Sequence, residues 1–206
     1  MKPVSVNVAL RSVKAAFNRA VKWELIVKAP IIEMVKTPRH QPRHLSDAQM
    51  EAILKHETHP GYRRLWLFMV WTAVRRGEAL GLEWEQISLI DKPQALVCGK
   101  GDRERMVPLL PPAVEALGEP GLSGPVFNVG RADYVTHHFH KVALSAGVRA
   151  KLHDLRHTGL TWMVARGVPL KLVQDIAGHT SINTTMGYAK TYAGGAYDTL
   201  VKAFNF

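Results

Sequence analysis

The stretch YRRLWLFMVWTAV, Tyr62 to Val74, constrains the fold more than any other part of the chain. Its apolar residues fall on most faces of a helix rather than in one stripe, so a helix there must be covered all round. It is too short to cross a bilayer, which takes about 20 apolar residues, and arginines flank it. The chain therefore has to wrap other elements around this helix. Helical patterns after Pro111 supply them, with breaks expected at Gly147, Gly167 and Gly178. Before them, two strand-like runs, ALVC and RMVPL, flank the turn-forming GKGDRE and predict a β-hairpin. The expected fold class is mainly α with a small antiparallel sheet (α+β).

Ser46 and Gln49 form a capping-box pattern that starts a helix running through Ile53. The preceding TPRHQPRH, Thr37 to His44, combines two prolines with basic residues and no apolar period, and reads as a linker. Upstream, Ser5 is expected to cap a helix with apolar positions Leu10, Val13, Phe17 and Val21, and a second short helix is expected in APIIEMVK from Pro30. Two helices cannot bury a core of their own. Residues 1–36 are accordingly expected to be the end of a helical domain cut short at its beginning, 37–44 the linker, and 45–206 the main domain.

Charge narrows the function. The 206 residues carry 27 Lys plus Arg against 17 Asp plus Glu, a formal net charge of +10. That surplus calls for a polyanionic partner, with nucleic acid ahead of a membrane surface. The opening MKPVSVNVAL has no cleavable apolar core, and Cys98 is the single cysteine, so a reducing, cytoplasmic setting is expected without a disulfide framework or thiolate metal cluster. His137, His138 and His140 in HHFH invite a metal, but no carboxylate or Cys stands at ligand spacing beside them.

The residues that can carry chemistry are weak signals one at a time. Arg75 closes the apolar run, where an unpaired guanidinium would be costly; a phosphate would relieve that cost, and Glu78 is an internal alternative. Lys100 sits between two glycines at the hairpin tip, where most lysines are merely solvated. His153 and Arg156 in HDLRHT are neighbours on one helical face. His157 falls on a different face and reads as packing or surface, as do Tyr134, Tyr192 and Tyr197 as ordinary aromatics. His179 follows Gly178, and Tyr188 closes SINTTMGYAK.

Taken in order, Arg75, Lys100, His153, Arg156, His179 and Tyr188 resemble the catalytic set of the tyrosine recombinases, the phage-integrase family. TAVRRGEALGLEWEQI resembles the family's first arginine box, GKGDRERMVPL its lysine hairpin, and HDLRHTGLTWMVARGVPLKLVQDIAGHTSINTTMGYAK its second box with the nucleophile. VNVALRSVKAAFNRAVKWELI looks like the last long helix of the core-binding domain. Three departures are small: Ala73 where glycine is usual, Ala177 where leucine is frequent, and Lys190 where histidine often follows the tyrosine.

The resemblance implies the tyrosine recombinase catalytic-domain fold and a site-specific recombinase that cuts and rejoins double-stranded DNA through a covalent 3′-phosphotyrosine. It implies a homotetramer on DNA, a monomer when free, no membrane, and neither cofactor nor metal. Tyr188 would be the nucleophile, Arg75, Arg156 and His179 would hold the phosphate oxygens, His153 would accept the phenolic proton, and Lys100 would protonate the 5′ oxygen. The alternatives are a type IB topoisomerase-like nicking and resealing enzyme, or a truncated DNA-binding remnant. Apolar residues after Tyr188, including Leu200, Val201 and Phe204, suit a tail helix that docks on its own domain or on a neighbouring subunit.

Overall fold

The computed structural model describes residues 2–37, 43–99, 101 and 103–191. Lys100, the tail beyond Thr191, Tyr192, Tyr197 and most of the expected linker lie outside the described residues. The chain divides into two compact units, Met1–His40 and Gln41–Phe206.

In the first unit, helix α1 spans Pro3–Lys22 and begins with a proline at its first turn rather than with Ser5 as cap. The helix expected from Pro30 does not form; residues 29–37 have no regular structure. Asn7 gives the reason. Its side-chain Nδ2 donates to the Val35 carbonyl and its Oδ1 accepts from the Val35 amide, both at 2.8 Å, taking the two backbone groups a helix would need. The β-branched Ile31 and Ile32 further weaken any helix there.

The second unit contains α2 (Asp47–His56), α3 (Pro60–Thr72), the short α4 (Arg76–Leu80), β1 (Ile87–Ser88), β2 (Gln94–Cys98), β3 (Glu104–Pro108), α5 (Pro111–Leu117), α6 (Ala132–Ser145), α7 (Leu152–Ala165), α8 (Leu170–Ala177) and α9 (Ile182–Thr191). The capping box forms as read: Gln49 N donates to Ser46 Oγ and Ser46 N to Gln49 Oε1. Helix α3 is the central element, packed against α5 and α7, with Leu65, Trp66, Phe68, Met69 and Val70 buried. Gly159 lets α7 approach it, since a Cβ there would collide with the Val70 carbonyl.

The hairpin is part of a three-stranded antiparallel sheet in the order β1-β2-β3, the two-residue β1 being too short to read from alternation. In the β2–β3 register Ala95 faces Val107 and Val97 faces Arg105. Ala95, Val97 and Val107 are buried, so Arg105 lies on the strand face that turns inward. Gly147, Gly167 and Gly178 all stand just past helix ends with positive φ, as their positions in the sequence predict. No helix among the described residues is long and apolar enough to cross a membrane.

Candidate active site

Two arginines meet near the C-terminal end of α3. Its end is set by Ala73, which adopts a left-handed φ of 54° and turns the chain into Arg75 at the start of α4. That conformation is one that glycine adopts without strain. It also leaves the Ala73 carbonyl facing Arg156 of α7, whose Nη1 donates to it at 2.6 Å. Arg156 Nη2 donates to the Ala177 carbonyl at 2.7 Å and lies 3.0 Å from His179 Nε2. Its side chain is only 2% exposed, and no carboxylate bonds it among the described residues. Burial, then the charge of Arg75, lowers its pKa to about 10, so it stays protonated at neutral pH.

Arg75 is held differently. Its amide donates to Glu78 Oε2 at 2.8 Å, its Nη1 to Oε1 at 2.7 Å, and its Nη2 to the Gly178 carbonyl at 3.1 Å. Glu78 also takes two bonds from Arg105: Nη1 to Oε1 at 3.0 Å and Nη2 to Oε2 at 2.7 Å. Burial alone would raise this carboxyl, but Arg105 and Arg75 hold it down to about 2. Arg105 Nε completes the link by donating to the Ile176 carbonyl at 2.7 Å. One guanidinium thus ties the lysine hairpin to α4 and to the end of α8, just before His179. Arg105 escapes a reading by motif; strand alternation, which puts it on the face of Val107, is the signal that finds it.

His179 and Tyr188 complete the group. Arginine can only donate, so His179 Nε2 must accept from it; the neutral ring therefore carries its proton on Nδ1 and donates to Thr185 Oγ1 at 2.9 Å. Burial, then Arg156 and Arg75, push His179 down to about 4, consistent with a neutral ring. Tyr188 is 2% exposed in a small apolar cluster with Ala73, Leu160, Val173 and Ala177. Its ring lies nearly parallel to that of His179, with centroids 6.3 Å apart. Burial raises the phenol pKa against the opposing pull of Arg156 and Arg75, so the phenol keeps its proton at neutral pH.

The reading of His157 as packing or surface is corrected here: its Nδ1 lies 2.6 Å from Tyr188 Oη. His153 and His157 are four residues apart on one turn-spaced face of α7, their rings edge-to-face at 4.6 Å. The i, i+4 spacing was the available signal. His153 itself is exposed and, with Arg75, Arg76, His140 and Lys151, lines a cavity of about 540 Å3 rimmed by basic side chains. The three histidines of HHFH make structural contacts. His138 pairs with buried Glu57 at 2.7 Å and stacks on Tyr62, while His137 and His140 each lie within hydrogen-bond distance of a backbone carbonyl.

Residues 131–194, which carry His153, Arg156, His179 and Tyr188, match the phage integrase family. A tyrosine recombinase XerD of Shewanella oneidensis is 30% identical over 207 residues, covering 87% of this chain and 68% of the relative. The chain belongs to the tyrosine recombinases. Family members break and rejoin DNA. The integrase of Salmonella phage P22 is 26% identical over 91% of this chain and 55% of its own length. Among solved structures, the XerH recombinase in a post-cleavage complex with its difH substrate matches with a TM-score of 0.64 and 25% identity, over 79% of this chain and 53% of that one. The recombinase chain described here therefore spans between about half and two thirds of the length of these relatives.

Proposed function

We propose that this tyrosine recombinase chain is a site-specific DNA strand transferase whose nucleophile is Tyr188. The observation that carries the proposal is the shared environment of Arg156, His179 and Tyr188. A buried guanidinium with no carboxylate bonded to it among the described residues lies against His179, whose ring stacks on that of the buried Tyr188, and Arg75 and His153 of the same group of residues line a basic cavity. In the proposed reaction, Tyr188 Oη attacks the scissile phosphorus and the P–O5′ bond breaks. The products are a 3′-phosphotyrosine and a free 5′ hydroxyl, and attack by a 5′ hydroxyl reverses the step. Phosphate-bond energy stays in the protein–DNA ester, so no nucleotide cofactor is required.

Negative charge builds on the non-bridging oxygens in the transition state. Arg75 and Arg156 supply forked donors for them, already oriented by Glu78 and by backbone carbonyls. His179 is proposed to contact the same phosphate, and His153, which lines the cavity with Arg75, to accept the phenolic proton of Tyr188. Lys100, which falls between β2 and β3 in the sequence, is proposed to protonate the departing 5′ oxygen. The partner is double-stranded DNA, bound as a homotetramer by protein that is monomeric when free; the DNA-bound XerH relative supports the DNA part of this reading.

The test is incubation with nicked candidate DNA followed by a denaturing gel. The wild-type chain should give a covalent adduct, and Tyr188→Phe should give none while retaining DNA affinity, which rests mainly on Lys and Arg contacts to phosphates. Junctions between two marked duplexes would separate recombination from topoisomerase-like resealing. No adduct from the wild-type chain would leave a DNA-binding remnant.

A further inference from the structure

We propose that Arg105 is a positioning residue of the strand-transfer site: it pins the Glu78 carboxylate, which in turn aims Arg75 at the scissile phosphate. The inference rests on the reaction proposed above and deepens it with a residue that acts only through its neighbours. Arg105 lies on β3 and addresses Glu78 with a complete fork. Its Nη1 donates to Oε1 at 3.0 Å and its Nη2 to Oε2 at 2.7 Å. Its Nε donates to the Ile176 carbonyl at 2.7 Å, which fixes the plane of the guanidinium. Glu78 Oε1 is shared, since Arg75 Nη1 donates to the same oxygen at 2.7 Å. A carboxylate gripped at both oxygens has little freedom to swing, and Arg75 is held with it.

The end of α8 registers three arginines against one another. Ile176, Ala177 and Gly178 are consecutive, and their carbonyls accept from Arg105, Arg156 and Arg75 in turn. A helix C-terminus leaves such carbonyls without intrahelical partners, and its dipole favours cations there. Glycine at 178 opens the approach. Its φ is 61°, and a Cβ there would lie 3.2 Å from both Nε and Nη1 of Arg105.

Arg105 serves this network and not the phosphate directly. Three of its N–H groups are used inside the cluster, and its side chain is 12% exposed against 40% for Arg75. Among the described residues, Glu78 is the one carboxylate bonded to these three arginines, so the cluster keeps positive charge for an anion.

The experiment measures single-turnover adduct formation by the full chain on two nicked DNAs. One carries an ordinary scissile phosphate, the other a methylphosphonate, in which a methyl group replaces one charged oxygen. Arg105→Met keeps an unbranched side chain and loses the fork. It should slow cleavage of the phosphate about 100-fold, the scale of a misplaced catalytic group, with DNA affinity within about 3-fold of wild type. On the methylphosphonate, where less charge has to be gripped, the same variant should come within about 10-fold of wild type. Damage to the fold would slow both substrates alike. In a Glu78→Gln background the change should cost no more than about 3-fold further, because the two residues act along one link. Arg105→Lys keeps the charge without the fork and should recover only part of the rate.

A phosphate rate near wild type in Arg105→Met, equal losses on both substrates, a fully additive loss with Glu78→Gln, or a fully active Arg105→Lys would each overturn the proposal. Should Arg105→Met fail to fold, Arg105→Lys decides on the same two substrates. A loss that shrinks on the methylphosphonate supports the clamp, and equal losses or none overturn it. An adduct that persists in Tyr188→Phe would show instead that the nucleophile is misassigned.

Discussion

The starts of α4 and α7 each deliver an arginine, yet the two are held in opposite ways. Arg75 is half-exposed, its side chain 40% accessible, and shares a carboxylate with Arg105. Arg156 is buried and, among the described residues, bonded to two carbonyls and a histidine. The first is a neutralised cation whose position is fixed by its counter-ion. The second is a buried charge with no carboxylate bonded to it among the described residues, a state that an anion in the site would stabilise. Orientation is thus built into one side of the site and electrostatic demand into the other, and a phosphate satisfies both.

The sharpest way to break this contrast is Arg156→Lys. A single ammonium cannot bond the Ala73 and Ala177 carbonyls and His179 while offering a fork to phosphate. Single-turnover cleavage should fall about 1000-fold, the upper range for losing a preorganised donor, with DNA affinity nearly unchanged. A loss below about 10-fold would mean that Arg156 is structural.

Next in size is Glu78→Gln, which leaves Arg75 and Arg105 without their carboxylate. Denaturant melts should show a loss of about 3 kcal/mol, as for breaking a buried pair. The equivalent change at Asp175, whose pairing with Lys171 is exposed, should cost no more than about 0.5 kcal/mol.

A pH titration of stability separates the histidines from the carboxylate. His157 and His179 are depressed to about 4 from an ordinary 6.5, so unfolded chains bind protons that the fold refuses. Their contribution is complete above pH 6.5 and is lost as pH falls toward 4. Glu78, held at about 2, adds its own loss only below about 4.5. A stability curve flat between pH 6.5 and 4 would contradict neutral, buried histidines. The smallest change expected is Ala73→Gly. Relief of the left-handed alanine and loss of a buried methyl nearly cancel, leaving stability within about 1 kcal/mol.

Much of this was legible in the chain because the signals were local. The apolar run demanded a central helix, Ser46 and Gln49 capped the next one, and three glycines marked helix ends that the fold places there. What escaped depended on contacts between distant segments. Asn7 overrides the helical pattern after Pro30 from 28 residues away. Arg105 reaches Glu78, 27 residues back, and Ile176, 71 residues on. His157 was misread because its partner lies 31 residues downstream. Spacing shows which side chains share a helix face, but not which element comes to meet that face.

The most direct measurement maps the covalent bond itself. After trapping on nicked DNA, the adduct is digested with protease and nuclease and the nucleotide-bearing peptide is sequenced by mass spectrometry. The account predicts a residual phosphonucleotide on Tyr188, within the peptide containing SINTTMGYAK. A modification on Tyr192 or Tyr197, or on any residue other than Tyr188, would contradict it.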